Sequence, residues 1–398
     1  MFAILPLAAF LFLFLIFCTK NCWRSSFLKA AIVWASSLTI ITEFLSFFKS
    51  LTFIWLLIVW SLIIIGLPFL YYQLLQQRNQ SRSKIQASKW NKVLNNLPLR
   101  VLFFGIAFIV VTVGLIAVIA PPNTMDSMSY HMPRVMHWIQ NHSVEHYPTS
   151  FTPQLFLAPW GEFAILHLQV LSGGDQYANM IQWFSMIGSI LGSSLIAKQL
   201  GAKLYGQTFS AVLCATIPMG ILQASSTKND YVLAFWLTCM VYHILLTIKA
   251  ETSKGNIWEI GLSFGLASLT KPTAYLYAFP FLIWLFFSKI KSLRWQLWKP
   301  ISQIAILALS INIFHFSRNL ELFHSPFGTT PANITYKNQV FGFSFFLSNV
   351  IRNLALHIST PIPSVNRFLI KCVSTIHSIL NVDINDPRIS SSDFKLIV

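Results

Sequence analysis

The chain has 398 residues, of which 55% are hydrophobic and 10% charged, and its mean hydropathy is +0.61. Soluble domains carry about 25% charged residues, so this composition excludes an ordinary soluble domain and describes an integral membrane protein. The net charge of +16 does not indicate nucleic acid, because the basic residues sit in short loops between apolar runs.

In chain order, apolar runs near the length needed to cross about 30 Å of hydrocarbon occur at 2–18, 30–48, 52–71, 101–120, 177–197, 207–224, 231–248, 257–270, 273–288 and 301–316. The first has no basic leader and no small-x-small cleavage site, so a retained span is expected, with a cleaved signal peptide as the alternative. The run 101–120 has no charge and ends in Pro121-Pro122. Between 257 and 288 the break Thr270-Lys271-Pro272-Thr273 is either a hairpin turn or a kink in one long helix. Lys289, Lys291, Arg294 and Lys299 favour the hairpin, which sets them on the same side as the other basic loops. These runs predict an all-α, polytopic transmembrane protein of about ten spans.

Charge sets the orientation. With that parity one side collects Lys20, Arg24 and Lys29, then Arg78, Arg82, Lys84, Lys89, Lys92 and Arg100, then Lys198, Lys203, Lys249 and Lys254. By the positive-inside rule that side is cytoplasmic, and the N-terminus and loop 121–176 lie outside. The loop contains amphipathic stretches, Arg134 to Gln140 and Gln154 to Leu171, rich in Trp, His and Phe, which predict interfacial helices on the outer leaflet. Beyond Arg318 only amphipathic runs follow, Val340 to Leu356 and Phe368 to Leu380. The expected organisation is three additional N-terminal spans and a basic loop (1–100), a transmembrane core with its outer loop 121–176 (101–317), and an extracytoplasmic segment (318–398). Five Cys residues show neither metal spacing nor a disulfide framework.

The segment Met125-Asp126-Ser127-Met128-Ser129-Tyr130-His131-Met132-Pro133-Arg134 places a carboxylate, a His and an Arg just beyond an uncharged span. A carboxylate at a membrane surface beside a cation suits chemistry on a lipid-borne phosphate, and desolvation there makes it a better proton acceptor. The ordinary alternative is that Asp126 caps the following helix. Tyr130 and His131 lie one turn on, on the same side if the segment is helical. Asp230, in Ser225-Ser226-Thr227-Lys228-Asn229-Asp230 before a span, is either an N-cap or a second acceptor beside Asp126. Arg134, Lys228, Lys271 and Arg318 each sit near an outer membrane edge; each alone reads as an interface anchor, and together they form a candidate site for a lipid phosphate. His131, His137, His142, His146 and His167 are too few in recognisable spacing to define a metal site, so no cofactor is expected, although a divalent metal is compatible. Glu43 stands isolated inside its span. No Gly-rich phosphate loop supports a nucleotide site. Asn141-His142-Ser143 and Asn333-Ile334-Thr335 match the N-glycosylation pattern.

At these residues, over roughly 101–330, the chain resembles the GT-C-type membrane glycosyltransferases, the superfamily of protein O-mannosyltransferases and lipid A aminoarabinose transferases. The shared features are a span running into an outer loop that opens with Asp126, then Tyr130-His131, then Pro159-Trp160-Gly161-Glu162-Phe163. Ser226-Thr227-Lys228-Asn229-Asp230 follows at a span start, and then Gly265-Leu266-Ala267-Ser268-Leu269-Thr270-Lys271. Ser317-Arg318-Asn319 with Ser325-Pro326-Phe327-Gly328 closes the series. The resemblance implies that Asp126 is the catalytic base and that Asp230 helps shape the site. It implies a polyprenyl-phosphate sugar donor and inversion at the sugar carbon. Many members carry Asp-Glu in the first loop where this chain has Asp126-Ser127, and members continue with further spans after the Arg-Asn segment, so a shortened product is expected.

The expected function is therefore an inverting glycosyltransferase that moves a sugar from a polyprenyl-phosphate donor to a lipid, glycan or protein hydroxyl. Asp126 and Asp230 would be catalytic, and Tyr130, His131, Arg134, Lys228, Lys271 and Arg318 would bind substrate. The alternatives are a lipid-linked sugar transporter or flippase, which predicts ionisable groups near mid-bilayer, and a non-catalytic membrane assembly subunit. The resemblance implies a bacterial inner membrane, with membrane lipids as partners and no nucleic acid.

Overall fold

The computed structural model describes residues 2–76, 96–249, 256–328, 338–390 and 393–396. Arg78, Arg82, Lys84, Lys89, Lys92, Lys254 and the Asn333-Ile334-Thr335 triplet lie outside the described residues. Every regular element among the described residues is helical. In order they are α1 (Ile4–Cys18), α2 (Trp23–Phe47), α3 (Phe53–Gln76) and α4 (Leu97–Ile119), then a π-helical turn (Ser127–His131). Next come α5 (Met132–Asn141), α6 (Pro153–Phe156), α7 (Trp160–Ser172), α8 (Met180–Gln199), α9 (Leu204–Ala215) and α10 (Pro218–Gln223). The series ends with α11 (Asp230–Lys249), α12 (Ile257–Thr270), α13 (Thr273–Leu293), α14 (Trp298–Phe323), α15 (Phe343–Ile358) and α16 (Pro363–Leu380).

Among the described residues six segments are long and apolar enough to cross a bilayer: α2, α3, α4, α8, α11 and Thr273–Phe323, with α1 and α12 as shorter apolar helices. The protein is a multi-pass helical membrane protein. The run expected at 207–224 is divided between α9 and α10 at Pro218, whose missing N–H cannot continue the helical ladder.

The chain forms two compact units, Met1–Ala215 with Gln223–Phe327, and Thr216–Leu222 with Gly328–Val398. In the first, small residues let helices approach closely. Gly261 lies against Ile304 and Leu307, and Gly265 against Ala308 and Ile311. Asn312 Nδ2 seals this seam by donating to the Gly265 carbonyl at 2.9 Å. The contact positions rise together in both helices, so α12 and α14 run parallel and α13 must return between them. Lys271-Pro272 is thus a hairpin turn, not a kink. Gly188 against Phe235 and Gly192 against Thr238 repeat the pattern between α8 and α11.

One end of this unit carries basic residues held by polar partners. Arg24 donates to Ser194 Oγ and Gln207 Oε1, each at 2.8 Å. Lys29 pairs with Glu259 at 2.7 Å and donates to Asn256 Oδ1. Helix α7 is largely buried, with Trp160, Phe163, Ile165, Leu166 and His167 packed among α2, α3, α5 and α12. It belongs to the core, and α5 alone of the two expected loop helices keeps a one-sided burial, through Met132, Arg134, Val135 and Trp138. His167 locks α7 in place, because Trp60 Nε1 donates to its Nδ1 at 3.0 Å and its Nε2 meets Thr42 Oγ1 at 2.9 Å.

The second unit is built on α15 and α16, which pack through Ala355 and Val373 with Leu396. Ser348 Oγ meets His377 Nε2 at 2.9 Å in its interior. Asn366 closes the turn before α16 by accepting from Thr360 N and donating to Thr360 O. Both helices are amphipathic, as their sequence pattern predicts, and leave Phe343, Phe346, Phe368 and Ile379 exposed.

Candidate active site

The π-helical turn determines how the first loop presents its side chains. Met132 N donates to Ser127 O, five residues back, so one extra residue is accommodated per turn. Thr124, not Asp126, caps the segment: its Oγ1 accepts from Ser127 N at 3.2 Å, while Asp126 makes no side-chain capping bond. The cap reading of Asp126 is thereby replaced, and its carboxylate is available to the cavity. The loop is pinned to the start of α11 by a short hydroxyl chain in which Thr227 Oγ1 donates to Ser127 Oγ at 2.6 Å and Ser127 Oγ lies 2.6 Å from Thr124 Oγ1.

These elements enclose a cavity of about 130 Å³ lined by Asp126, Tyr130, His131, Glu162, Lys228, Asn229, Asp230 and Lys271, with Leu157, Ala158, Thr270 and Pro272. Its ion pairs are well formed. Lys228 Nζ lies 3.1 Å from Asp126 Oδ2, and Lys271 Nζ lies 2.8 Å from Asp230 Oδ1. All four side chains are between about a third and two fifths exposed, so Asp126 faces a solvated cavity and is not desolvated as its position at a membrane edge predicts.

Glu162 forms the floor. Its Oε1 accepts from His131 Nδ1 at 2.9 Å and from Arg134 Nη1 at 3.1 Å, and its Oε2 accepts from Asn229 Nδ2 at 3.3 Å. Gly161 makes room for this contact, since a Cβ there would come within 2.1 Å of Asn229 Oδ1. Burial alone would raise the Glu162 pKa, but the charges of His131 and Arg134 and the His131 hydrogen bond overcome it and hold the carboxyl below its usual range. Burial, reinforced by Asp126 and Glu162, pushes the Tyr130 phenol well above its ordinary value, so Tyr130 is a neutral hydroxyl.

Six of the eight sequence-predicted residues line this one cavity: Asp126, Tyr130, His131, Lys228, Asp230 and Lys271. Two lie elsewhere. Arg134 is fully buried beneath it, with Nε and Nη2 donating to the carbonyls of Gln154, Pro153 and Leu157 and its guanidinium over the Trp138 ring. Arg318 makes a two-pronged ion pair with Glu43 at 2.6 and 2.8 Å. Glu43 is therefore not isolated. Glu162 and Asn229 were not singled out by sequence reasoning, although a carboxylate in the aromatic run Trp160-Gly161-Glu162-Phe163 is the signal that points to them. The loop histidines disperse: His137 stacks on Tyr147 and His146 packs on Phe323. Among the described residues no three His, Cys, Asp or Glu side chains gather as a metal site.

Residues 158–316 match the family model described as dolichyl-phosphate-mannose-protein mannosyltransferase. The matched stretch includes Glu162, Lys228, Asp230 and Lys271 of the cavity wall, while Asp126, Tyr130 and His131 precede it. No curated protein and no solved structure matches the chain. The family match, on an all-helical membrane-spanning architecture, supports a GT-C-type membrane glycosyltransferase.

Proposed function

We propose that the chain transfers a sugar, with inversion, from a polyprenyl-phosphate donor to an acceptor hydroxyl of a lipid, glycan or protein at the outer face of a bacterial inner membrane. The observation that carries this reading is the convergence of Asp126 and Asp230, each beside a lysine, on one cavity at one end of the bundle. Asp126 takes the acceptor proton as the acceptor oxygen bonds to the anomeric carbon, and the bond from that carbon to the phosphate oxygen breaks with its electron pair leaving on the phosphate. Lys228 and Lys271 stand where that developing charge is stabilised. Asp230 holds Lys271 in position. The phosphate is an activated leaving group, so no nucleotide takes part.

Positioned general-base catalysis is worth about 10²–10⁴-fold in rate. Asp126→Asn is therefore expected to lower sugar transfer by at least about 100-fold in membranes supplied with a labelled polyprenyl-phosphate sugar, while insertion is unchanged. Near-normal transfer by that variant sinks the assignment.

A further inference from the structure

A second, larger cavity of about 380 Å³ lies at the other end of the same helices. Its lining includes Thr247 near the end of α11 and Ile257 at the start of α12, the termini away from Asp230 and Thr270. The wall is almost wholly apolar, with Phe264, Leu282, Phe286 and Ile304 in it. Helices α12 and α14 close on each other through Gly261 and Gly265, and α13 with its bulky side chains leaves a crevice beside that seam. Phe279, Ile283 and Ile301 line the cavity and are also exposed, so it opens sideways on the perimeter of the bundle, where hydrocarbon surrounds a spanning helix. Apolar pockets of about 300–1,000 Å³ with a few polar groups are the usual form of a small-molecule site.

The region around this cavity is basic. Lys289 is buried in its lining, and Lys291, Arg294 and Lys299 follow on the exposed turn that joins α13 to α14. No Asp or Glu occurs between Glu259 and Glu321, and Glu259 is already paired with Lys29 at 2.7 Å. Among the described residues no ion pair holds Lys291, Arg294 or Lys299. Trp295 and Trp298 on the same stretch are exposed, as indoles at headgroup level are. Apolar space at the depth of acyl chains thus adjoins cations and indoles at the depth of headgroups. Basic pockets between spanning helices recognise anionic headgroups by this combination.

We propose that this cavity binds an anionic glycerophospholipid from the leaflet at that end, which charge asymmetry predicts to be cytoplasmic. An acyl chain fills the apolar space, and Lys291, Arg294 and Lys299 meet the headgroup. A neutral lipid satisfies the space without the charges, and free phosphate satisfies the charges without the space. The site is separate from the cavity of Asp126 and Asp230. Helix α13 rises about 24 Å from Thr273 to Lys289, so a lipid with its phosphate at Lys271 cannot set the same phosphate here. The inference does not depend on sugar transfer.

The test uses the full chain in nanodiscs of equal parts phosphatidylglycerol and phosphatidylcholine. In each arm one of the two lipids carries a diazirine on its acyl chain, and the adducts are mapped by mass spectrometry. Adducts are expected within 279–293 and 300–305. A basic residue near an anionic headgroup is worth about fivefold in affinity, so phosphatidylglycerol should give at least about tenfold more adduct than phosphatidylcholine. Neutralising the turn with Lys291→Gln, Arg294→Gln and Lys299→Gln together should bring that ratio below about threefold, with acyl adducts still present. Ala305→Trp, at an exposed lining position, should remove the adducts of both lipids. Equal labelling of the wild type by both lipids overturns the inference, because any acyl chain then fills the crevice. Displacement of the phosphatidylglycerol adducts by stoichiometric farnesyl phosphate also overturns it, by giving the cavity to a prenyl carrier. The wild-type comparison needs no variant, so it decides even where a substitution prevents folding.

Discussion

His167 shows how a single ring can lock three helices. Trp60 donates to its Nδ1, which assigns the proton to Nε2 and makes Thr42 Oγ1 the acceptor. Trp60→Phe keeps the ring packing but strands a buried nitrogen, at a cost of about 1–3 kcal/mol. A lowered unfolding midpoint in detergent checks this. Burial also pushes the His167 pKa down to about 3. The unfolded chain takes up a proton near pH 6.5 while the folded ring does not, so this residue's contribution is lost as pH falls below that value. The expected slope is about 1.4 kcal/mol of lost stability per pH unit for this one group. A unfolding series from pH 7 to pH 4 measures it. The Arg318–Glu43 pair is the same lesson with charge: each partner looks solitary in its own stretch of sequence, and 275 positions separate them.

At the scale of elements, the parallel seam between α12 and α14 places Lys271 over Asp230. Gly265 has the Ala308 backbone 3.0 Å from where its Cβ would be, whereas Gly105 has nothing within 4 Å. Gly265→Val is therefore expected to force the helices apart and destabilise by about 1–3 kcal/mol, the usual penalty of overpacking. Thermal size-exclusion assays should show Gly105→Val unchanged and Gly265→Val displaced, with sugar transfer lost as Lys271 is carried off its partner. The hairpin at Lys271-Pro272 was legible because four basic residues needed a side. The character of α7 was not. Its Trp, His and Phe residues resemble an interfacial helix when only composition is considered, and what buries its polar edge is His131, Arg134 and Asn229 from elsewhere in the chain. Spans of marginal length, such as Ile4–Cys18 and Ile257–Thr270, were legible as apolar but not as to how far they reach.

For the molecule as a whole, the cavity and the Arg24–Lys29 cluster lie at opposite ends of the first unit. Charge asymmetry in the sequence predicts that the cavity end lies outside. An impermeant maleimide is expected to label Met125→Cys, at a position 86% exposed beside Asp126, in intact cells. The exposed native Cys22, next to Arg24, should react only after permeabilisation. Labelling in the reverse order would invert the topology and remove the cavity from the side where lipid-linked sugars are expected. Six members of the site could be found from sequence because they fall in polar segments at the ends of long apolar runs. Their pairing could not, since which lysine meets which aspartate depends on helix order in space.

The π-helical turn carries one more consequence. Asp126, Tyr130 and His131 share a wall because that segment holds a surplus residue relative to an α-helix. Shortening it by one would let the coil tighten and swing the imidazole through roughly 100°, the rotation of a single helical step. Exchanging the outward-facing Met128 for another side chain leaves that rotation alone. Spacing, more than lettering, is what this stretch conserves physically, and a homologue lacking one position there would keep the right amino acids while aiming them at the wrong place.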